Sequence, residues 1–236
     1  MKKILVYLLF HMAVGQSQQI DSPLNIILMI GDGMGLSQIS AGMYANNNQT
    51  VLEEFPFIGL CKTHSINNLV TDSAAGGTAI ACGEKTYNYV LGINSKNKKL
   101  ESVLEICEEN SYNTGLIVNS SIVHATPASF YANVDSRKNY GEIAVQLSES
   151  DIDYFIGGGK KHFNKRKDSR DLIKEMNTVD VVKSFGAYKK SNAERIGLFT
   201  YDDEPPSIID GREPILADYL TATLDKLDRR EEPFFL

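Results

Sequence analysis

Three short stretches hold the residue types needed to handle a phosphate group or a divalent cation. The first is GDGMG at residues 31–35, where Asp32 stands between glycines directly after an apolar run. Flanking glycines let a carboxylate project from a strand end toward a cation, although an Asp in a glycine turn also serves as a plain turn residue. It is not a dinucleotide-binding loop, because GxGxxG needs glycine at position 36 and Leu36 is there. The second stretch is TDSAAGGTA at residues 71–79, which places Ser73 among small side chains at the start of a helix predicted to run to about Cys82. Ser73 could simply cap that helix. The same geometry also offers backbone N–H groups and a positive helix end to a phosphate or to an ionised seryl oxygen. Thr71 stands where a GxSxG nucleophile elbow needs glycine. With no histidine placed as its base, Ser73 would need a metal ion as activator. The third stretch is HATPASFYANVDSR at residues 124–137. In it Thr126 offers a hard oxygen suited to magnesium, and Arg137 a planar fork suited to phosphate. Each also has a plainer use, Thr126 as a helix-start cap before Pro127 and Arg137 in a surface ion pair.

The elements around these stretches alternate between strand-like and helix-like. Residues 25–30 form a near-continuous apolar run that suits a parallel strand buried on both faces. A helix is predicted over 36–45, a β-like run over 57–62, and an amphipathic helix over 99–109. A strand follows over 114–119, a helix over 139–148, and a strand over 153–156 that stops at Gly157, Gly158 and Gly159. Residues 160–170 are rich in Lys and Arg and read as a solvated loop. Beyond them come a helix over 172–176, a strand over 196–200 and a turn at Pro205 and Pro206. An amphipathic helix is then predicted over 214–227, with Arg229 and Arg230 where its dipole favours cations, and residues 233–236 read as the start of a buried strand. This alternation predicts an α/β fold with a mostly parallel central sheet and helices on both faces. Asp32, Ser73 and the 124–137 segment then fall at strand ends, where such sheets bind ligands.

Composition narrows the function. The 236 residues are 42% hydrophobic and 23% charged, an ordinary globular balance, and the formal net charge of −6 gives no electropositive face for nucleic acid. Residues 1–19 follow the plan of a secretory signal peptide, with Lys2 and Lys3, an apolar run over 4–14, then small and polar residues. That run is about half the ~20 residues a membrane span requires, so no stable span is expected and the mature protein is predicted to be secreted or periplasmic. Without Lys2 and Lys3 the chain carries 22 basic against 30 acidic residues, a net charge near −8. Cys61, Cys82 and Cys107 show no zinc-finger spacing and allow one disulfide at most, with Cys107 on the apolar face of the 99–109 helix. His64 and His162 have no partner at ligand spacing and read as structural or surface groups.

Taken together and in this order, GDGMG, TDSAAGGTA and ATPASFYANVDSR resemble the alkaline phosphatase family, from about Leu24 to the last residue. The resemblance implies two zinc ions and a magnesium ion acting on a phosphate monoester, with inorganic phosphate as product. Asp32 would bridge a zinc and the magnesium, Ser73 would coordinate zinc and become phosphorylated, Thr126 would bind magnesium, and Arg137 would clamp the phosphate oxygens. Asp72 would orient Arg137, and His124, where relatives carry Asp or His, would stand behind the magnesium ligands. Family members carry further Asp, Glu and His ligands in a later part of the chain, and none of those motifs is present. Residues 20–236 are therefore expected to be the N-terminal portion of a single alkaline phosphatase domain, with two ligands left per retained ion and little or no activity alone. A homodimer is expected only of the complete protein. Related phosphodiesterase or sulfatase-like hydrolases share the metal plan, and a degenerate phosphate-binding fragment is the non-enzyme alternative.

Overall fold

The computed structural model describes residues 24–236, so the leader expected over 1–19 lies outside the described residues. Five strands, β1 Asn113–Ser121, β2 Tyr154–Gly158, β3 Asp180–Val182, β4 Ile196–Phe199 and β5 Phe234–Phe235, form one sheet in the order β3-β4-β2-β1-β5. Every neighbouring pair is parallel. The helices are α1 Leu36–Ala45, α2 Ser73–Cys82, α3 Val103–Glu109, α4 Ala125–Ala128, α5 Tyr140–Glu149, α6 Lys161–Asn164, α7 Leu172–Glu175, α8 Phe185–Lys190 and α9 Leu216–Leu227, with a 3-10 turn at Val51–Glu54.

Side chains that alternate along the strands feed two cores, one on each face of the sheet. Phe155 and Phe235 join Leu104, Ile143, Leu147 and Phe163 under α3 and α5. Their neighbours Tyr154, Ile156, Phe234 and Leu236 join Tyr188, Ala222 and Leu227 of α8 and α9. The predicted α/β fold with helices on both faces is what the chain adopts. Gly197 makes one close approach possible, since a Cβ there would stand 2.1 Å from the Phe155 ring.

Local chemistry explains the boundaries. The helix expected over 99–109 begins only at Val103, because Ser102 and Glu105 close a capping box, the Ser102 N–H donating to Glu105 Oε2 at 2.7 Å. Cys107 is buried on this helix, Cys61 is exposed, Cys82 is half-buried, and all three are free thiols. Helix α9 starts at Leu216, leaving Pro214 outside its first turn, and Arg230 reaches away from the helix end to the Glu194 carbonyl and the Tyr154 ring.

Three expectations are corrected. Residues 25–30 are extended but not buried on both faces. Among the described residues they pair with β5 and the Leu236 that follows it, through Ile26 N–H to Phe234 O at 2.8 Å and Leu28 N–H to Leu236 O at 2.7 Å, and Met29 is 74% exposed. The apolar run is an edge, with one paired side. Residues 57–62 form no ladder among the described residues, and Leu60 is 97% exposed, because a β-like pattern makes a strand only where a neighbour is there to pair with it. The basic stretch 160–170 is a solvated loop only in its second half, where Lys165 and residues 167–170 are exposed. It contains α6, whose Phe163 is fully buried with its ring 4.7 Å from that of Phe199, and its charges find partners, Lys161 with Asp203, Lys165 with Asp202, and Arg170 with Glu175. Strand β3 and helix α8, both too short to show a period, complete the far edge. Among the described residues no helix is long and apolar enough to cross a membrane.

At the end of α3, Glu108 accepts a hydrogen bond from Thr114 Oγ1 at 3.0 Å, beside a cleft of about 750 Å³ that Glu101, Glu105, Glu109, Asp151 and Asp153 also line. Burial pushes its pKa up to about 7, and the Thr114 bond opposes the rise only in part. The native state then holds this proton more tightly than the unfolded chain does. Its stabilising contribution is complete below about pH 4.5 and is lost as pH rises through about 7. Glu108→Gln should therefore melt higher than the wild type at pH 8 and show a smaller loss of Tm between pH 4.5 and 8, measured by circular dichroism. Identical pH profiles for the two proteins would contradict this.

Candidate functional site

The carboxyl ends of the strands deliver the candidate residues. The 25–30 edge leads into the glycine turn of Asp32, and β1 runs into a tight turn and then α4, which carry His124 and Thr126. The β1–β2 register slips between Ile117 and Ser121, so the end of β1 departs from a regular ladder just before this turn. There the Ser121 N–H donates to Glu204 Oε2 at 3.0 Å.

Helix α2 presents Ser73 in its first turn, but Ser73 is not the cap. Asp72 fills that role, its Oδ1 accepting from Ala75 N–H at 3.0 Å. The Ser73 hydroxyl is thereby left for another partner, and it donates to Asp32 Oδ1 at 3.1 Å. Thr126 Oγ1 donates to the other oxygen, Asp32 Oδ2, at 2.8 Å. One carboxylate thus gathers hydroxyls from two distant segments.

A second group forms beside it. Arg137 extends one guanidinium nitrogen to Asp72 Oδ2 at 3.1 Å, and its other terminal nitrogen lies 3.0 Å from His124 Nε2. A guanidinium can only donate, so Nε2 must be the acceptor and the imidazole proton sits on Nδ1, 3.9 Å from Asp32 Oδ2. Burial and then the Arg137 charge hold the His124 pKa below its ordinary value, against the opposing pull of Glu204 and Asp32. The six residues singled out from the sequence therefore form two hydrogen-bonded groups, Asp32 with Ser73 and Thr126, and Arg137 with Asp72 and His124, which approach each other at the 3.9 Å separation of His124 and Asp32. Sequence reasoning missed Glu204, and also Asn88 and Tyr89, which bond to the Asp72 segment. Their contacts run to backbone atoms or across long stretches of chain, and no motif marks them.

The donor set fits a hard dication as a partial shell. Asp32, Ser73 and Thr126 converge with oxygen atoms only, the ligand type magnesium prefers. The four oxygen atoms of these three side chains fall short of a six-ligand shell, and among the described residues no group of three or more His, Cys, Asp or Glu side chains is placed to hold a metal. Small residues keep the floor of the site tight. Gly77 of α2 meets α4 so closely that a Cβ there would lie 2.3 Å from Ser129 Oγ, which itself is bonded to the Ala125 carbonyl.

Comparison with known proteins identifies the family. The family model described as alkaline phosphatase matches residues 24–236. The chain is similar to alkaline phosphatase 4 of Bacillus subtilis, at 38% identity over 90% of this chain and 50% of that protein. It is also similar to the repressible alkaline phosphatase of Saccharomyces cerevisiae, at 34% identity over 96% of this chain and 46% of that protein. Among solved structures, alkaline phosphatase from the Antarctic bacterium TAB5 superposes with a TM-score of 0.84 at 38% identity, covering 91% of this chain and 64% of that one. A mutant of the TAB5 enzyme, with a TM-score of 0.84 and 37% identity over 91% of this chain and 63% of that one, has Mg bound in its M3 site. The chain spans about half the length of the curated relatives it matches.

The adjacent glycines of α2 give a direct test of the packing that places Ser73. Gly77→Ala should cost about 1–3 kcal/mol in denaturant unfolding, since the new methyl must push α2 off α4. Gly76→Ala, whose Cβ would meet nothing nearer than 3.7 Å, should be neutral or stabilising by up to about 1 kcal/mol. Equal effects at the two positions would mean that the contact between α2 and α4 is not tight.

Proposed function

Because the chain belongs to the alkaline phosphatase family, we propose that it carries the nucleophile and phosphate clamp of a phosphate monoester hydrolase that works through a phosphoserine at Ser73. The observation that carries this reading is the convergence of Ser73 and Thr126 on one carboxylate, Asp32, beside the Asp72–Arg137 pair. Each residue then has a defined task. The Asp32 bond fixes the Ser73 hydroxyl in one rotamer, aimed by the first turn of a helix whose N–H groups and dipole favour negative charge. Gly76, in the same first turn of α2, adds no side chain beside Ser73.

Arg137 supplies the clamp. Asp72 and His124 each occupy one terminal nitrogen, which sets the plane of the guanidinium while other N–H donors stay available for two phosphate oxygens. A neutral His124 accepts from Arg137 without adding a repelling cation beside it. The ester phosphorus is attacked by Ser73 Oγ, the new O–P bond forming as the bond to the alcohol oxygen breaks, and the proton lost from the seryl hydroxyl is balanced by the one the departing alcohol oxygen takes up from solvent. Water then hydrolyses the seryl phosphate, freeing Ser73 and inorganic phosphate. Asp32, Ser73 and Thr126 would hold magnesium and zinc, as the family resemblance implies. When bound, such ions favour the ionised forms of seryl and water oxygens and offset the charge on the transferring phosphoryl group.

With three donor residues where the metals need more, residues 20–236 alone should turn over 4-nitrophenyl phosphate slowly or not at all, even with added zinc and magnesium. Robust hydrolysis abolished by Ser73→Ala would overturn the claim of an incomplete donor set, and robust hydrolysis that survives Ser73→Ala would overturn Ser73 as nucleophile. Binding is expected even without turnover. Titrating inorganic phosphate into the chain in the presence of both ions, followed by phosphorus NMR, should show an interaction that Arg137→Ala weakens about tenfold or more, the size of a lost charge-assisted hydrogen bond. Equal affinity in the two proteins would remove Arg137 from the clamp.

A further inference from the structure

Tyr89 has a backbone that its side-chain type disfavours. Its φ is 73°, in the left-handed region, where a bulky residue other than glycine costs roughly 1–2 kcal/mol. The side chain gives little in return, since the residue is 54% exposed and absent from the buried cores, with the Lys138 ammonium 5.8 Å from the ring centroid. What holds the conformation is the backbone. The Tyr89 N–H donates to Asp72 Oδ2 at 3.1 Å, the same oxygen that receives Arg137, and the Tyr89 carbonyl accepts from the Arg137 N–H at 2.7 Å. One strained residue therefore touches both members of the proposed clamp, the carboxylate of one and the main chain of the other.

Its neighbour Asn88 grips the approach to Ser73. The carboxamide oxygen accepts from the Asp72 N–H at 3.2 Å, and the carboxamide nitrogen donates to the Val70 carbonyl at 3.1 Å. The side chain thus spans Thr71 like a rung of a ladder, on the two residues that lead into the nucleophile. Both residues are anchored from behind, where the fully buried Leu91 exchanges backbone hydrogen bonds with Val134 at 2.9 and 3.0 Å. Strain of this kind persists where surrounding structure over-determines it, and it concentrates at functional sites.

We propose that Asn88 and Tyr89 are positioning residues that lock Asp72 and Arg137 into register with Ser73. The inference rests on the phosphate-binding reading above and goes beyond it by assigning the pre-organisation of the clamp to a dipeptide that touches no substrate. The distinction between positioning and mere structural support lies in coupling. If Asn88 acts through Arg137, the two substitutions should not add.

The test is the inorganic phosphate titration in the presence of zinc and magnesium, with thermal melts run alongside. Asn88→Ala, which removes the ladder rung, and Tyr89→Pro, which removes the N–H donor and forbids the positive φ, should each weaken phosphate binding about tenfold. Where one of them fails to fold, the other carries the comparison. Tyr89→Gly keeps the N–H, the carbonyl and free access to positive φ, so it should bind within about twofold of the wild type. In an Arg137→Ala background, Asn88→Ala should cost less than twofold more. Absence of phosphate binding by the wild-type chain would overturn both the functional reading and this inference. Wild-type binding that Arg137→Ala weakens but Asn88→Ala and Tyr89→Pro leave intact would overturn the inference alone, as would a full tenfold further loss in the Arg137→Ala background.

Discussion

The carboxylate of Asp32 is the point on which the site turns. Its two oxygens accept from hydroxyls that lie 41 and 94 residues further along the chain, so three segments with no local reason to meet are held at one place. Neither hydrogen bond could compensate alone for the entropy of closing such long loops. The meeting is prepaid by the sheet and its two cores, and the polar contacts only finish it. Asp32 also keeps 44% of its side chain exposed, so its charge remains available to a cation without the full cost of burial.

Parallel topology explains why the meeting occurs where it does. With every strand pair parallel, the carboxyl ends lie along one side of the sheet, and the loops that leave them are free to carry polar groups while the opposite ends pack. Strand β1 sits between β2 and β5, and β5 in turn pairs with the edge segment that leads to Asp32. Small residues then bring α2 and α4 close enough for Ser73 and Thr126 to share one acceptor. The Asp72–Arg137 pair adds a second tier, in which a helix cap doubles as the counter-charge of the guanidinium.

Much of this was legible in the sequence, for reasons that differ by element. GDGMG, DSAAGGTA and the 124–137 stretch stand out because site chemistry restricts residue types over consecutive positions. Strands β1, β2 and β4 are short apolar runs stopped by polar residues or glycine, and they read clearly. The 25–30 and 57–62 runs misled because apolar pattern reports what a segment is suited to pair with, not whether a neighbour is there among the described residues. Counter-charges at Asp202 and Asp203 could not be assigned to the basic stretch without knowing that the chain returns to it. The Asn88 and Tyr89 contacts were invisible for a sharper reason. They are made with main-chain atoms, or by main-chain atoms, and a left-handed tyrosine carries no compositional mark.

The central claim is that Asp32 is the anionic seat of a cation beside Ser73. Calorimetric titration of magnesium into the chain and into Asp32→Asn tests it most directly, because the amide keeps nearly the same shape and can still accept the Ser73 hydroxyl while losing the charge. Magnesium binding by the wild-type chain that falls at least tenfold in Asp32→Asn, with both proteins folded, is the result this account predicts. Equal magnesium binding by the two proteins would contradict it.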